Sequence, residues 1–194
     1  MPVKQSIQKF YSKAAGAAGA DFSRDFLFRV TQMQLQGIPF MSDDDLVYVK
    51  TASLPGRNIT NVAVPYMGLN INVPGAVTYP GSDSYALQFY LDANSVIRSK
   101  FEQASRALFN ENGPDGVSGG QYGTPDGDNF IQLEQLDKNL NSVSVFKLVG
   151  ASLRNIDSIA YNIADGTGAT VELNATFAYH YYETIAQAVV VPEA

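Results

Sequence analysis

Between Thr170 and Glu183 the chain reads TVELNATFAYHYYE. Val171, Leu173, Ala175, Phe177, Tyr179 and Tyr181 stand at every second position, with Glu172, Asn174, Thr176 and His180 among the residues between them. An extended strand turns this pattern into one apolar and one polar face, because its side chains alternate with period two. The same period recurs in SYALQFYLD (residues 84–92), which sends Tyr85, Leu87, Phe89 and Leu91 inward and Gln88 outward. DFLFRVTQMQL (25–35) predicts a first strand with Phe26, Phe28 and Val30 on one face. LVYVKTA (46–52) predicts a second, after the acidic turn Asp43-Asp44-Asp45. FIQLEQL (130–136) and SVSVFKLVGASL (142–153) read as further strands, and SIAYNI (158–163) with the turn ADGTGA leads into the closing strand as a hairpin. The fold class is mainly β: a sandwich or partial barrel.

The period changes in DANSVIRSKFEQASRALFN (92–110). Ile97, Phe101, Ala104 and Leu108 share a helical face, Asn94 or Ser95 is placed to cap the start, and Glu102 is placed to pair with Arg106 at i, i+4. This predicts one flanking helix over about residues 94–110. At the N-terminus, Ile7, Phe10, Tyr11 and Ala14 are spaced for a short amphipathic helix, followed by an Ala/Gly linker over 15–20. Lys13 interrupts what would otherwise be the apolar region of a signal peptide. The organisation expected is an N-terminal arm (1–21), a β domain (22–184) and a C-terminal tail (185–194). Within the domain, 110–129 holds six Gly, two Pro and three Asp and reads as a long loop.

One stretch breaks the simple pattern. In TASLPGRNITNVAVPYMGLNINVPG (51–75) the apolar residues fall at even numbers through Val62, Val64 and Tyr66, then at odd numbers through Leu69, Ile71 and Val73. A slip of one residue moves every side chain to the opposite face. The stretch therefore reads as one long bent strand or two consecutive ones, with Met67-Gly68 as a bend or bulge that changes the buried face.

Residue counts narrow the chemistry. The 194 residues include no cysteine and one histidine, which excludes disulfides, thiol nucleophiles and Cys-type zinc sites, and leaves any imidazole chemistry to His180 alone. The net charge of −6 opposes binding to nucleic-acid phosphates, which takes clustered cations. Charged residues are 16% of the chain, and there are eleven Phe and eleven Tyr, a balance that fits surface hidden in an assembly. No run of about 18 apolar residues offers a membrane-spanning helix.

Individual motifs give little. DGDNFIQLE (126–134) has Phe130 and Ile131 where a calcium loop needs an oxygen ligand and a glycine, so it reads as turn chemistry. GVSGGQYG lacks the Lys-Ser/Thr of a phosphate loop. Glu134, Glu172 and Asp157 are the strand-region carboxylates that a glycoside hydrolase would have to use, and nothing in the sequence links them. No catalytic set emerges. Asn-x-Thr at Asn58 and Asn174 has no secretory signal beside it.

TASLPGRNITNVAVPYMGLNINVPGAVTYPGSDSYALQFYLD (51–92) resembles the tail tube protein of contractile-tailed bacteriophages. The features that carry the resemblance are Ala52, Leu54 and Pro55; Pro65, Tyr66 and Met67; Asn72, Val73 and Gly75; Thr78 and Tyr79; and Asp92 before the helix carrying Phe101. The segment LVGASLRNIDSIAYNIADGTGATVELNATFAYHYYE (148–183) is similar to the close of that family. The likeness spans roughly 5–110 and 140–183, leaving the glycine loop as an insertion.

The resemblance implies a structural virion protein without catalysis or cofactor. Hexameric rings would form a continuous β-barrel and stack into the tail tube, a conduit for DNA ejection. The expected partners are further copies of the chain, the tail sheath protein, the baseplate initiator and tail terminator proteins, and the tape measure protein and then DNA in the lumen, with no membrane. The expected location is the virion tail, assembled in the host cytoplasm. The tube of a secretion system, a phage-like bacteriocin and a baseplate tube initiator share the fold; a carbohydrate-binding β-sandwich is the alternative of another class. Asp43, Asp44, Asp45, Leu54, Pro55 and Arg57 are the expected contacts with a neighbouring subunit or ring. Asn70, Asn72, Gln88, Glu172, Asn174 and Thr176 are the expected lumen lining. The face-changing strand would then bury one half in its own core and lend the other to the shared barrel.

Overall fold

The computed structural model describes residues 23–35, 38–110, 118–119, 129–162, 164, 166 and 168–185. The expected N-terminal helix, most of the glycine loop and the tail beyond Ile185 lie outside them.

Two antiparallel sheets face each other across one apolar core. The first runs in the order β13 (Tyr181–Ile185), β10 (Ser142–Val149), β9 (Phe130–Leu136), β1 (Phe28–Leu35), β2 (Ile38–Pro39). The second runs β11 (Ser152–Ile156), β12 (Glu172–Ala178), β6 (Tyr85–Tyr90), β3 (Val49–Thr51). Their inner faces supply Val30, Met33, Ile131, Leu133 and Leu148 from one side, and Leu87, Phe89, Leu173, Ala175 and Phe177 from the other. A β-sandwich is what alternating strands build when each must bury one face.

Helix α1 (Asp43–Leu46) occupies the expected acidic turn, and β3 is shorter than the predicted 46–52 strand. Helix α2 (Val96–Leu108) completes the core, burying Ile97 and Phe101, and leads into the short separate pair β7 (Phe109–Asn110) and β8 (Ser118–Gly119). The Phe101 ring meets Phe40 at 5.0 Å and Phe89 at 5.2 Å, both edge-on, and Phe177 at 6.2 Å. Its cap is Asp92 instead of Asn94 or Ser95: the carboxylate accepts from the N–H groups of Asn94, Val96 and Ile97 at 3.1–3.2 Å. Its surface pair also differs from expectation, since Glu102 bonds Arg98 at 2.9 Å.

Three other expectations change. A bulge between Val30 and Gln32 shifts the phase of β1, so Val30, Met33 and Leu35 are buried; Phe26 lies in the turn before the strand and is exposed. The segments 142–153 and 170–183 are each two strands. At Gly150 and at Tyr179-His180 the chain leaves one sheet for the other, so β10–β13 and β11–β12 are halves of one ribbon bent around the sandwich corner. Gly150 has φ +72, and a Cβ there would stand 2.1 Å from the His180 ring, so the corner requires glycine. Residues 158–162 belong to the connection between β11 and β12; the closing hairpin exists, but its first arm is 152–156.

The largest departure is the stretch with the phase change. Residues Asn58–Tyr66 (β4) and Leu69–Thr78 (β5) pair with each other and, among the described residues, with no other strand. Met67 and Gly68 form the turn between them, with φ +46 and +83, both positive as a type I′ hairpin turn requires. Neither half enters the core: every residue from Asn58 to Thr78 is exposed. The bend or bulge expected at Met67-Gly68 is thus a reversal of direction, and the one bulge in the ladder lies between Thr60 and Asn61.

Candidate self-assembly surface

The hairpin resolves the puzzle of parity. Cross-strand partners share a face, and Val62 pairs with Val73, Val64 with Ile71, and Tyr66 with Leu69. Even numbers on one strand thus meet odd numbers on the other, giving one continuous apolar face. Asn61, Ala63, Pro65, Asn70, Asn72 and Pro74 make the opposite face. The six apolar side chains are each 45–68% exposed, and Met67 at the tip is 85% exposed. A patch of this extent is larger than isolated surface apolars need, and marks an interaction site.

No charged residue occurs between Arg57 and Asp83. The prolines also act on the hairpin's edges. The pair Tyr66–Leu69 closes the two-residue turn as a hydrogen-bonded pair, so alternation makes Pro65–Asn70 and Asn61–Pro74 non-hydrogen-bonded pairs whose main-chain nitrogens point outward. Each strand thereby loses one outward donor, a device that discourages edge-to-edge pairing. What the hairpin offers a partner is its face and its tip.

Its base is built firmly. The chain runs from β3 through the corner 52–57 into β4 and returns from β5 through 79–84 into β6, so the arm departs from the β3–β6 edge of the four-stranded sheet. Buried Tyr85 donates its hydroxyl to the Ser53 carbonyl at 2.7 Å. Tyr79 packs edge-on against Tyr182 at 5.5 Å, and the Tyr179 N–H donates to the Ser82 carbonyl at 2.7 Å. Arg154 bridges to the Asp83 carboxylate at 3.3 Å and also bonds its carbonyl. Beside this base, Leu27, Phe28, Ala52, Leu54 and Leu133 line a cleft of about 290 Å³.

The expected contact residues fall on two elements. Leu54, Pro55 and Arg57 form the corner, with Leu54 and Arg57 exposed and Pro55 half-buried. Asp43, Asp44 and Asp45 are the first turn of α1. Asp43 and Asp44 are exposed, whereas the Asp45 carboxylate accepts from the Ser42 N–H at 2.8 Å, the Ser42 hydroxyl at 2.6 Å and the Lys100 ammonium. Burial works against its charge, but those donors outweigh it and hold the Asp45 carboxyl below the ordinary range.

Of the expected lumen residues, the structure brings four together. Gln88 stands directly opposite Asn174 on the outer face of the four-stranded sheet, with Glu172 and Thr176 on the same strand. Lys50 joins them, bonding Glu172 at 2.5 Å, and Gln88 donates to the other Glu172 oxygen at 2.6 Å. Asn70 and Asn72 are separate, on the polar face of the hairpin. Sequence reasoning missed Lys50, and missed the hairpin tip; the charge-free run of residues 58–82 was the signal for the latter.

The three carboxylates considered for hydrolysis are dispersed. Glu134, on the five-stranded sheet, is buried and bonds Arg29 at 2.7 and 2.9 Å. Glu172 lies on the other sheet, and Asp157 accepts from Asn155 in the loop after β11. His180 is exposed at the corner. Among the described residues no cluster of three or more His, Asp or Glu is placed to hold a metal, and no helix is long and apolar enough to cross a membrane.

No family model matches the chain, and no curated protein matches it in sequence. Solved structures do match. A chain of the anti-feeding prophage (AFP) baseplate superposes with TM-score 0.56 at 14% identity, covering 88% of this chain and 98% of that one. A chain of the AFP tube-terminating cap gives 0.56 at 10% identity, covering 96% and 100%. A chain of the sheath-tube complex of the extracellular contractile injection system PVC, in its extended state, gives 0.52 at 11% identity, covering 91% and 97%. The shared feature is the fold, and it is the one the tail-tube resemblance implied.

Proposed function

We propose that this chain is the structural subunit of a contractile-tail tube: six copies close a ring, rings stack, and the bore is a conduit for DNA inside a sheath. The observation that carries this reading is the β4–β5 hairpin, uncharged and exposed along its whole length. On a lone subunit it costs solubility and gains nothing; on an assembling one it is buried by a neighbour. The four-stranded sheet, with short edges at β3 and β11, has unpaired main-chain groups through which a ring can be closed into a continuous barrel.

In this reading the corner Leu54, Pro55 and Arg57, with Asp43 and Asp44, meets the neighbouring subunit or ring, while Asp45 steadies α1 against α2. Gln88, Glu172, Asn174 and Thr176, with Asn70 and Asn72, line the bore. Lys50 neutralises Glu172, so the sheet face is amide- and hydroxyl-rich without a cluster of cations, and DNA phosphates find little to hold them. The sheath protein, initiator, terminator and tape measure protein are the corresponding partners, and the virion tail is the location.

A second reading is a terminal ring, an initiator or cap, within a phage tail or an injection system. It is supported by the likeness of the fold to chains of a baseplate and of a tube-terminating cap as well as of a sheath-tube complex. Negative-stain electron microscopy of the purified protein separates the outcomes. Long hollow tubes support the tube subunit, single rings support the terminal ring, and a protein that stays monomeric at high concentration overturns both.

A further inference from the structure

We infer that the hairpin tip of one copy seats in the cleft beside the Ser53-Leu54 corner of a second copy. This rests on the self-assembly proposed above and gives it a specific register. The tip presents Tyr66, Met67 and Leu69, exposed by 62, 85 and 68%. The cleft, about 290 Å³ and lined by Leu27, Phe28, Ala52, Leu54 and Leu133 together with polar groups that include Arg24, Asp25 and Gln135, has room for large apolar side chains.

Three further facts favour this pairing. The turn position of Met67, with φ +46, suits Asn or Gly, so a methionine there bears backbone strain while its side chain stands 85% exposed. Methionine is the side chain best able to adapt to an irregular apolar hollow. The hairpin's nine paired positions, at about 3.4 Å each, carry the tip roughly 30 Å from its own base, so it cannot reach the cleft beside that base. Its partner must be another copy.

The hairpin carries no charge from Asn58 to Ser82, so its tip engages the apolar part of the cleft, Leu27, Phe28, Leu54 and Leu133, and not Arg24 or Asp25 at its margin by an ion pair. A tip-to-cleft contact joins two different patches. Two copies joined by one such contact keep one free tip and one free cleft between them, so head-to-tail repetition propagates into a ring or a filament, whereas reciprocal exchange would stop at a twofold dimer and overturn the register.

The chain has no cysteine, which makes the test clean. Met67→Cys and Leu54→Cys are introduced singly and together at exposed positions, and thermal melting verifies that each variant folds as the parent does. The proteins are oxidised with glutathione disulfide after assembly and run on a non-reducing gel. The expected result is a ladder extending beyond dimers in the double variant alone. Tubes or rings by microscopy without that ladder overturn the tip-to-cleft register while leaving self-assembly standing. Cross-linked dimers from Met67→Cys alone, which mean tip-to-tip packing, overturn it as well. So does efficient intramolecular cross-linking of Leu54→Cys to Phe10→Cys, which would make the N-terminal segment the occupant, or co-flotation of the parent with phosphatidylcholine vesicles through the hairpin. A parent protein that is monomeric by sedimentation overturns the self-assembly reading itself.

Discussion

The Tyr85 hydroxyl donates to the main-chain oxygen of Ser53 at 2.7 Å, joining the first residue of β6 to the corner from which the hairpin departs. The ring beneath it packs edge-on against Tyr179 at 5.9 Å. Burial, and then the neighbouring Tyr179, push the Tyr85 ionisation above the ordinary tyrosine range, so the group remains a donor through moderately alkaline pH. One hydrogen bond thus ties the direction of an exposed arm to the sandwich core.

Replacing Tyr85 with phenylalanine keeps the ring packing and deletes that tie. The exposed Ser53 carbonyl is free to take up water, so the expected loss is about 1 kcal/mol, a fall in Tm of roughly 2–4 °C. Assembly should suffer more than folding, because the arm loses its fixed direction. Thermal melting beside tube yield by microscopy checks both.

Gly150→Ala should destabilise through two separable effects. Its positive φ costs a side chain about 1–2 kcal/mol, and its Cβ collides with the His180 ring. Adding His180→Ala removes the collision and leaves the backbone cost. Urea midpoints across the four members of this cycle should show favourable coupling between the two substitutions; strict additivity would mean the ring swings aside freely.

Acid stability should depend partly on Asp92. Donation from the Val96 N–H, opposed by a smaller effect of burial and aided by Ile97 and Asn94, holds its carboxyl below the ordinary range. The folded pKa is therefore lower than the unfolded value of about 3.9. Its contribution is complete above that value and is lost as pH falls through the lower folded one. In Asp92→Asn, which carries no charge to lose, the drop in urea midpoint between about pH 6 and about pH 2 should be smaller than in the parent. Asp137, bonded first by the Asn141 N–H, and Asp83, bonded first by Arg154, keep some acid sensitivity in the variant.

Lysines at Asn174 and Thr176 test the polar sheet face as the lining of the bore. Parent tubes should release short duplex DNA on sedimentation, whereas tubes of the double lysine variant should retain it at low salt and lose it as salt rises. Equal retention by both would remove this face from the bore.

How legible this was in the chain can be judged from particular residues. Leu87 and Phe89 were legible because they point inward on a plain strand, and Phe101 because a helical stripe repeats locally. The phase of β1 was not, since the bulge after Val30 is set by its pairing with β9. Nor was the role of Asp92, because a carboxylate that reaches forward to Val96 and Ile97 competes equally well in sequence with Asn94 and Ser95. In the candidate surface, Leu54 was named from sequence as a contact and the sheet-face residues Gln88, Glu172, Asn174 and Thr176 as lumen lining, whereas Lys50 was not named and Met67 was read as a bend.

Val62 and Val73 mark the boundary most clearly. The sequence by itself determined that each lies on an apolar strand face, since alternation is a relation between near neighbours. Only the tertiary structure decided that the two faces are one. Two residues that pair across a two-residue turn have numbers of opposite parity, so a reversal of direction and a change of face leave the same trace in the chain. Whether that face meets the protein's own core or stands free depends on where the corner at Ser53–Arg57 aims the hairpin, and that is settled by contacts such as Tyr85 to Ser53, made between residues far apart in sequence.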